Sequence, residues 1–386
     1  MNRKHETATF GRDEVIDLIW RTLDKRSVYM NDLRRIGKTM ILEAMRENPA
    51  PGWTVIKRDL GRCHSVEEFA ALVYQDVMAS ITGKTKLMRR MTELIGKAGG
   101  AQIGPVKLPD GRVAPWKEVL ERTFADLDQA SAEEDLRVVF LWDEVPFLLD
   151  NVIKNSAQGT GERMTMQVLD TIRSLGQDYP RVKMVLTGSI GLHHILSDLR
   201  EENYVNSPLN HMKPIAPGPL KASDAVTFAS HLLKERGVGS DEGCAAEIAR
   251  LVGHVPYYIE SFIDDLRYGE KLMCVEIEEK LTQRLTDPDD DWDLPHYRTR
   301  LRRYFGKEET IVLAILDHLA RSSNAQSNAE IMAAMKSIGV DIEEELARHL
   351  LKLLHRDHYI EKDAAGKWRF RLALVQRWWK LDRGLS

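Results

Sequence analysis

Few folds accommodate the stretch RVVFLWDEVPFLLD, residues 137–150. Val138–Trp142 is an apolar run with no polar position inside it. A strand with one wet face alternates. A strand without alternation is covered on both faces, the condition of a parallel sheet between helical layers. The run ends on two adjacent carboxylates, Asp143 and Glu144. Acids at the end of a buried strand need a partner. Mg²⁺ held through water by Asp143 meets that need, and Glu144 is then placed to polarise an attacking water.

The rest of the first half keeps the same rhythm. Strands are expected at Ser27–Asn31, Gly52–Leu60, Leu136–Trp142, Val182–Thr187 and Met212–Ile215. Helices are expected at Thr39–Glu47, after a Ser65 cap with Glu68 three residues on, and over Glu162–Leu175, the one helix between the third and fourth strands. Strands alternating with helices predict an α/β fold with a parallel sheet. Residues 83–116 interrupt it as an insertion, with a basic amphipathic piece (Lys84–Ala98) and a hairpin turning at Asp110-Gly111. The pattern divides the chain into a sheet domain (1–218), a purely helical segment (219–290) and a carboxy-terminal domain (296–386), with the polar linker TDPDDDWDLP before the last. Three helices followed by the hairpin YIEKDAAGKWRFRL give that domain the order of a winged helix.

Composition excludes several classes. Lysine plus arginine total 55 against 59 acids, a formal charge of -4, so no global pull draws the chain to nucleic acid or anionic membrane. Val138–Trp142 is too short to span a bilayer, and the amino-terminal residues carry no apolar signal segment. The three cysteines, Cys63, Cys244 and Cys274, suggest neither a disulfide framework nor a zinc site, and a cytoplasmic setting is expected.

The stretch VYMNDLRRIGKTM (residues 28–40) carries the second signal. Phosphate binding needs converging backbone N–H groups, a helix N-terminus behind them and a neutralising lysine. Gly37, Lys38 and Thr39 supply the last turn, the lysine and a hydroxyl for Mg²⁺, and Arg34, Arg35, Ile36 and Met40 complete the loop and its entry into the helix. The pattern G-x-x-x-x-G-K-[ST] departs at its first position, where Asp32 replaces glycine. Aspartate tolerates unusual turns, and its charge is expected to pair outward with Arg34 or Arg35. A third element, VKMVLTGS, ends a buried strand in Thr187 and Ser189, either of which could sense a γ-phosphate.

Taken in order, TFGRDEVIDLIW, RRIGKT, FLWDEVPFLL, LTGSIGL and GHVPYYI resemble the archaeal-type P-loop ATPases, relatives of STAND NTPases and of the origin-recognition branch of AAA+ proteins. The resemblance covers about residues 9–265. It implies an AAA+-like P-loop sheet, a helical lid and a carboxy-terminal winged helix. It implies ATP/ADP and Mg²⁺ as ligands, with Gly11 and Arg12 near the adenine and Gly253 and Pro256 near the base or ribose. Arg200 falls where ring-forming relatives place an arginine that reaches a neighbour's γ-phosphate, although a solvated arginine is the favoured reading of that position. The activity implied is ATP hydrolysis, or a slow nucleotide-gated switch whose output is binding. A protein partner or self-assembly follows from either, with no membrane role. DNA could be held by the basic run Arg298–Arg303 and by Lys367, Arg369 and Arg371. Against this, Asp341, Glu343, Glu344 and Glu345 open the helix in the recognition position and would repel phosphates.

Overall fold

The apolar run forms the third strand of a five-stranded parallel sheet. The structure, a computed structural model, describes residues 10–80, 115–134, 137–157, 159–188, 192–201, 206–289 and 291–385. It divides into two compact units, Met1–Pro217 and Gly218–Ser386. The expected insertion, with its hairpin at Asp110-Gly111, lies almost wholly outside the described residues.

The first unit runs α1 (Asp13–Leu23), β1 (Val28–Asn31), α2 (Lys38–Glu47), β2 (Trp53–Asp59), α3 (Val66–Ser80), α4 (Trp116–Glu134), β3 (Arg137–Asp143), α5 (Val145–Asn155), α6 (Gly161–Asp178), β4 (Val182–Gly188), α7 (Leu192–Glu201) and β5 (Lys213–Ile215). The strand order is β2-β3-β4-β1-β5, every neighbouring pair parallel. Register brings the carboxyl ends level: Asn31 lies opposite Gly188, and Asp59 opposite Asp143. Open sheets of this kind bind ligands outside the carboxyl ends of their strands.

Burial on both faces accounts for the missing alternation. Val139 and Leu141 of β3 pack with Ile19, Leu23, Ile41 and Leu42 from α1 and α2. Val138, Phe140 and Trp142 pack with Phe69, Phe124, Leu148 and Leu169 on the other side. Phe124 stacks on Phe140 at 5.0 Å, and Phe69 meets Trp142 edge-on at 5.2 Å. A run apolar on both faces could slip along its neighbours at little cost. Asp143 prevents this, because a slip of one residue would drive an unpaired carboxylate into the core.

Between β3 and β4 the chain makes two helices, α5 and α6, where one was expected. Val145-Pro146 directly after the acids reads as a strand tail, yet proline suits the first turn of a helix. Helix α5 starts there. Helix α3 begins as its sequence predicts: the Glu68 N–H donates to Ser65 Oγ at 3.1 Å, and a Glu68 oxygen accepts from His64 N–H at 2.8 Å.

The second unit runs α8 (Ala222–Glu235), β6 (Gly239–Ser240), α9 (Cys244–Leu251), α10 (Pro256–Asp264), β7 (Lys271–Leu272), α11 (Cys274–Thr286), α12 (His296–Phe305), α13 (Glu309–Arg321), α14 (Asn328–Ser337), α15 (Glu344–Arg356), β8 (Ile360–Lys362), β9 (Trp368–Phe370) and α16 (Ala373–Arg383). Three expectations need correction here. The segment 219–290 is not purely helical, because β6 and β7 pair in parallel. That pairing brings together the first residues of α9 and α11, and Cys244 and Cys274 form a disulfide with their Cα atoms 4.8 Å apart. Spacing along the chain could not reveal it.

The segment TDPDDDWDLP is packed, not free. Trp292 is fully buried, its Nε1 donates to Ser261 Oγ at 2.9 Å, and Arg284 lies 4.4 Å over its ring. The hairpin β8–β9 is antiparallel, and Gln326 bridges Trp368 on its other side. Among the described residues, no helix is long and apolar enough to cross a membrane.

Candidate active site

The loop between β1 and α2 is shaped by two left-handed residues, Arg35 (φ 66°) and Gly37 (φ 95°). Glycine suits the second, and Gly37 forms the N-cap of α2. Asp32 is not among the left-handed positions, so the departure from the glycine pattern imposes no backbone strain. Leu33 and Ile36 are buried and anchor the loop in the core, while Arg34 is exposed. Lys38 Nζ donates to the carbonyls of Asp32 and Leu33, both at 2.7 Å. Burial pushes the Lys38 ammonium down to about 8, against the opposing pull of Asp32, Glu144 and Asp143.

Asp32 points inward. It is fully buried, and its Oδ1 accepts from Leu33 N–H at 2.8 Å. The buried cation that feels its charge, besides Lys38, is Arg12. Arg12 Nη2 donates to the Ile36 carbonyl at 2.6 Å and Nη1 to the Pro217 carbonyl at 3.2 Å. The first of these bonds ties Arg12 to the loop.

At the carboxyl edge of β3, Asp143 is the hub. Its Oδ2 accepts from Thr39 Oγ1 at 2.7 Å, and its Oδ1 accepts from Thr187 Oγ1 and from Glu144 N–H, the latter at 3.1 Å. Glu144 sits in the left-handed region (φ 54°, ψ 41°), costly for a residue with a side chain, and turns the chain from β3 into α5 within one residue. Strain of this kind collects at functional positions.

Lys38, Thr39, Asp143, Glu144 and Thr187 thus meet at one edge of the sheet, from four different elements and junctions. Ser189 lies outside the described residues, and so does the side chain of Arg200, which is on α7. Met40 continues the first turn of α2, and Gly11 (φ 64°) turns the chain into α1. In the second unit, Gly253 (φ 69°) and His254 (φ 58°) turn the chain from α9 to Pro256 at the start of α10.

Three residues escaped the sequence. Burial, and then Glu144, push the Tyr29 phenol above its usual range, so the ring lies within reach of that glutamate's charge. Inside an apolar strand nothing marks its hydroxyl. Gly188 is required by closeness, since a Cβ there would come 2.5 Å from Pro146 Cγ. Asp59 ends the neighbouring strand opposite Asp143, and its Oδ1 accepts from Gly61 N–H at 2.8 Å.

Together, the parallel sheet, the glycine-lysine-threonine loop and the acid-ended strand define a P-loop α/β protein. No family model and no curated protein sequence matches the chain. Among solved structures, it is similar to a Walker-type ATPase of Pyrococcus abyssi at 18% identity, covering 96% of each chain with a TM-score of 0.64. Its fold is that of a P-loop ATPase. More distant similarities reach the Holliday junction branch migration motor RuvB of Thermotoga maritima (10% identity, 94% of this chain and 92% of that one, TM-score 0.41) and the ADP form of the ORC2 protein of Aeropyrum pernix (12%, 99% and 93%, 0.40).

Proposed function

We propose that this protein binds ATP at the β1–α2 loop and hydrolyses it with Mg²⁺. The observation that carries this reading is the Thr39–Asp143–Thr187 chain of hydrogen bonds, which joins the first turn of the loop's helix to two strand ends. A hydroxyl and a carboxylate side by side are hard oxygen donors, a set that suits Mg²⁺. When bound, Mg²⁺ would neutralise charge on the β- and γ-phosphates. Lys38 would exchange its two loop carbonyls for phosphate oxygens. Thr39 and Asp143 would hold the metal, Glu144 would polarise the attacking water, and Thr187 would sense the γ-phosphate through Asp143. Gly253, Pro256 and Arg200 stand as nucleotide contacts on the resemblance alone.

Residues 219–290 would serve as a lid and 296–386 as a winged helix whose output is contact with another protein or a second copy. The order of α13, α14 and α15, the β8–β9 hairpin and the Gln326–Trp368 bridge support the winged-helix reading. Charge pairing favours protein over DNA. In the hairpin Lys367 pairs with Glu330 at 3.4 Å and Arg369 with Glu361 at 2.7 Å. On α12, Arg300 lies between Tyr297 and Tyr359 with its guanidinium nitrogens buried, so Arg298–Arg303 cannot meet phosphates as one run.

Binding and turnover of Mg·ATP by wild type, Lys38→Ala and Glu144→Gln test the assignment. Lys38→Ala should abolish binding. Glu144→Gln should bind normally and lose about 10²–10⁴ in turnover, the contribution of a general base. Equal ATP affinity in wild type and Lys38→Ala overturns the reading. Tight nucleotide with negligible wild-type turnover would make the protein a switch at the same site.

A further inference from the structure

We propose that the turn between β2 and α3, residues 60–64, is a clamp on the Glu144 corner, and that Asn151 is the positioning residue that closes it. This rests on the reading of Glu144 as the residue that polarises the attacking water, and it names what keeps that side chain aimed.

Glu144 alone makes the corner from β3 to α5, in the left-handed region. A residue with a side chain persists in that conformation only where its surroundings hold it. Here the same short turn grips the chain on both sides of the corner. Before it, the Asp143 carbonyl accepts from Leu60 N–H at 3.0 Å. After it, Asn151 Nδ2 donates to the carbonyls of Gly61 and Cys63, at 3.3 and 3.0 Å. Asn155, four residues along on the same face of α5, donates to the His64 carbonyl at 3.4 Å.

The turn is also closed upon itself. Asp59 Oδ1 accepts from Gly61 N–H at 2.8 Å, and the Leu60 carbonyl accepts from Cys63 N–H at 3.0 Å. Gly61 lies against the stem of the glutamate: a Cβ there would be 3.6 Å from Glu144 Cβ and 3.1 Å from Asp59 Oδ1. A shift of the turn is therefore passed directly to Glu144. Asparagine supplies the N–H donor that the two carbonyls need, whereas leucine, of nearly the same branched shape, has none.

Two roles for Asn151 lead to opposite outcomes. A residue that only joins α5 to the turn costs stability when lost, and any activity it costs adds to the loss at Glu144. A residue that acts through Glu144 costs nothing more once Glu144 cannot act.

Single-turnover hydrolysis and equilibrium ATP affinity are measured for wild type, Asn151→Leu, Glu144→Gln and the double variant, each shown folded by circular dichroism. Asn151→Leu should turn over about ten- to a hundredfold more slowly, the effect of misplacing a catalytic group by about 1 Å, with affinity unchanged. The double variant should be no slower than Glu144→Gln. Asn151→Ala, which suits a helix, serves if the leucine variant does not fold. Hydrogen exchange supplies a readout that needs no turnover: the Leu60 amide should exchange faster in Asn151→Leu than in wild type. Unchanged turnover, an equal loss of affinity, a loss that multiplies with that of Glu144→Gln, or an unaltered Leu60 amide overturns the proposal. Glu144→Gln as fast as wild type overturns the hydrolytic reading instead, and the clamp then stands or falls on the Leu60 amide.

Discussion

Asp143 accepts hydrogen bonds from threonines on two different elements, Thr39 at the start of α2 and Thr187 near the end of β4. Under the proposed reading, the first belongs to binding and the second to the response to a γ-phosphate. Thr187→Val keeps the shape and deletes the hydroxyl, and Asp143 Oδ1 retains the Glu144 N–H. Turnover should fall about ten- to a hundredfold, the scale of a hydrogen bond to a charged group. ATP affinity should change little, as steady-state kinetics beside equilibrium titration would show. An equal loss in both would assign Thr187 to binding. Residues of this site were legible where the chemistry is local in sequence, as at Gly37-Lys38-Thr39 and Asp143-Glu144. Contacts between distant positions were illegible: Arg12 meets the Ile36 carbonyl across a separation of 24 residues.

At the scale of elements, patterning located all five strands of the sheet, most plainly β3, where burial on both faces leaves a continuous apolar run. It failed at residues 286–295, whose acids and prolines suggest a solvated tether. One tryptophan decides that segment. Trp292 packs on Tyr258 at 4.9 Å and lies under Arg284, and its indole nitrogen is hydrogen-bonded. Trp292→Ala should destabilise the second unit by ~3–5 kcal/mol, as large aromatic truncations in cores do. It should also open residues 287–293 to protease. Denaturant melts and limited proteolysis provide the check; a wild type cut there as readily as the variant would refute the packing. Helix α5 was missed for a different reason. Its first turn follows β3 without a connecting loop, so no turn residues mark the change of period.

Over the whole chain, the three cysteines give a direct readout of the tertiary arrangement. Cys244 and Cys274 are joined, and Cys63 is the free thiol, buried. Burial, and then Glu68, push the Cys63 thiol up to about 12, so it holds its proton and resists alkylation while the fold persists. Mass spectrometry after alkylation should therefore find no label on the native protein, one on the unfolded unreduced protein and three after reduction. Three labels without reduction would show that the pair is not joined. Nothing in the sequence could indicate this pairing, because it depends on two dipeptide strands, Gly239-Ser240 and Lys271-Leu272, too short to carry a period.

The left-handed turn at Glu144 bears on which changes the molecule can absorb. Strand β3 ends at Asp143 and α5 begins at Val145, so a single residue makes the whole corner. A helix advances about 100° per residue. One residue added or removed there would rotate α5 by that angle and carry Leu148, Leu149 and Val152 off the core face they now occupy. Glycine would suit the backbone at 144, and a β-branched residue would not. The spacing is not free. At this junction the chemistry is written in identity and the architecture in length, and the two can fail independently.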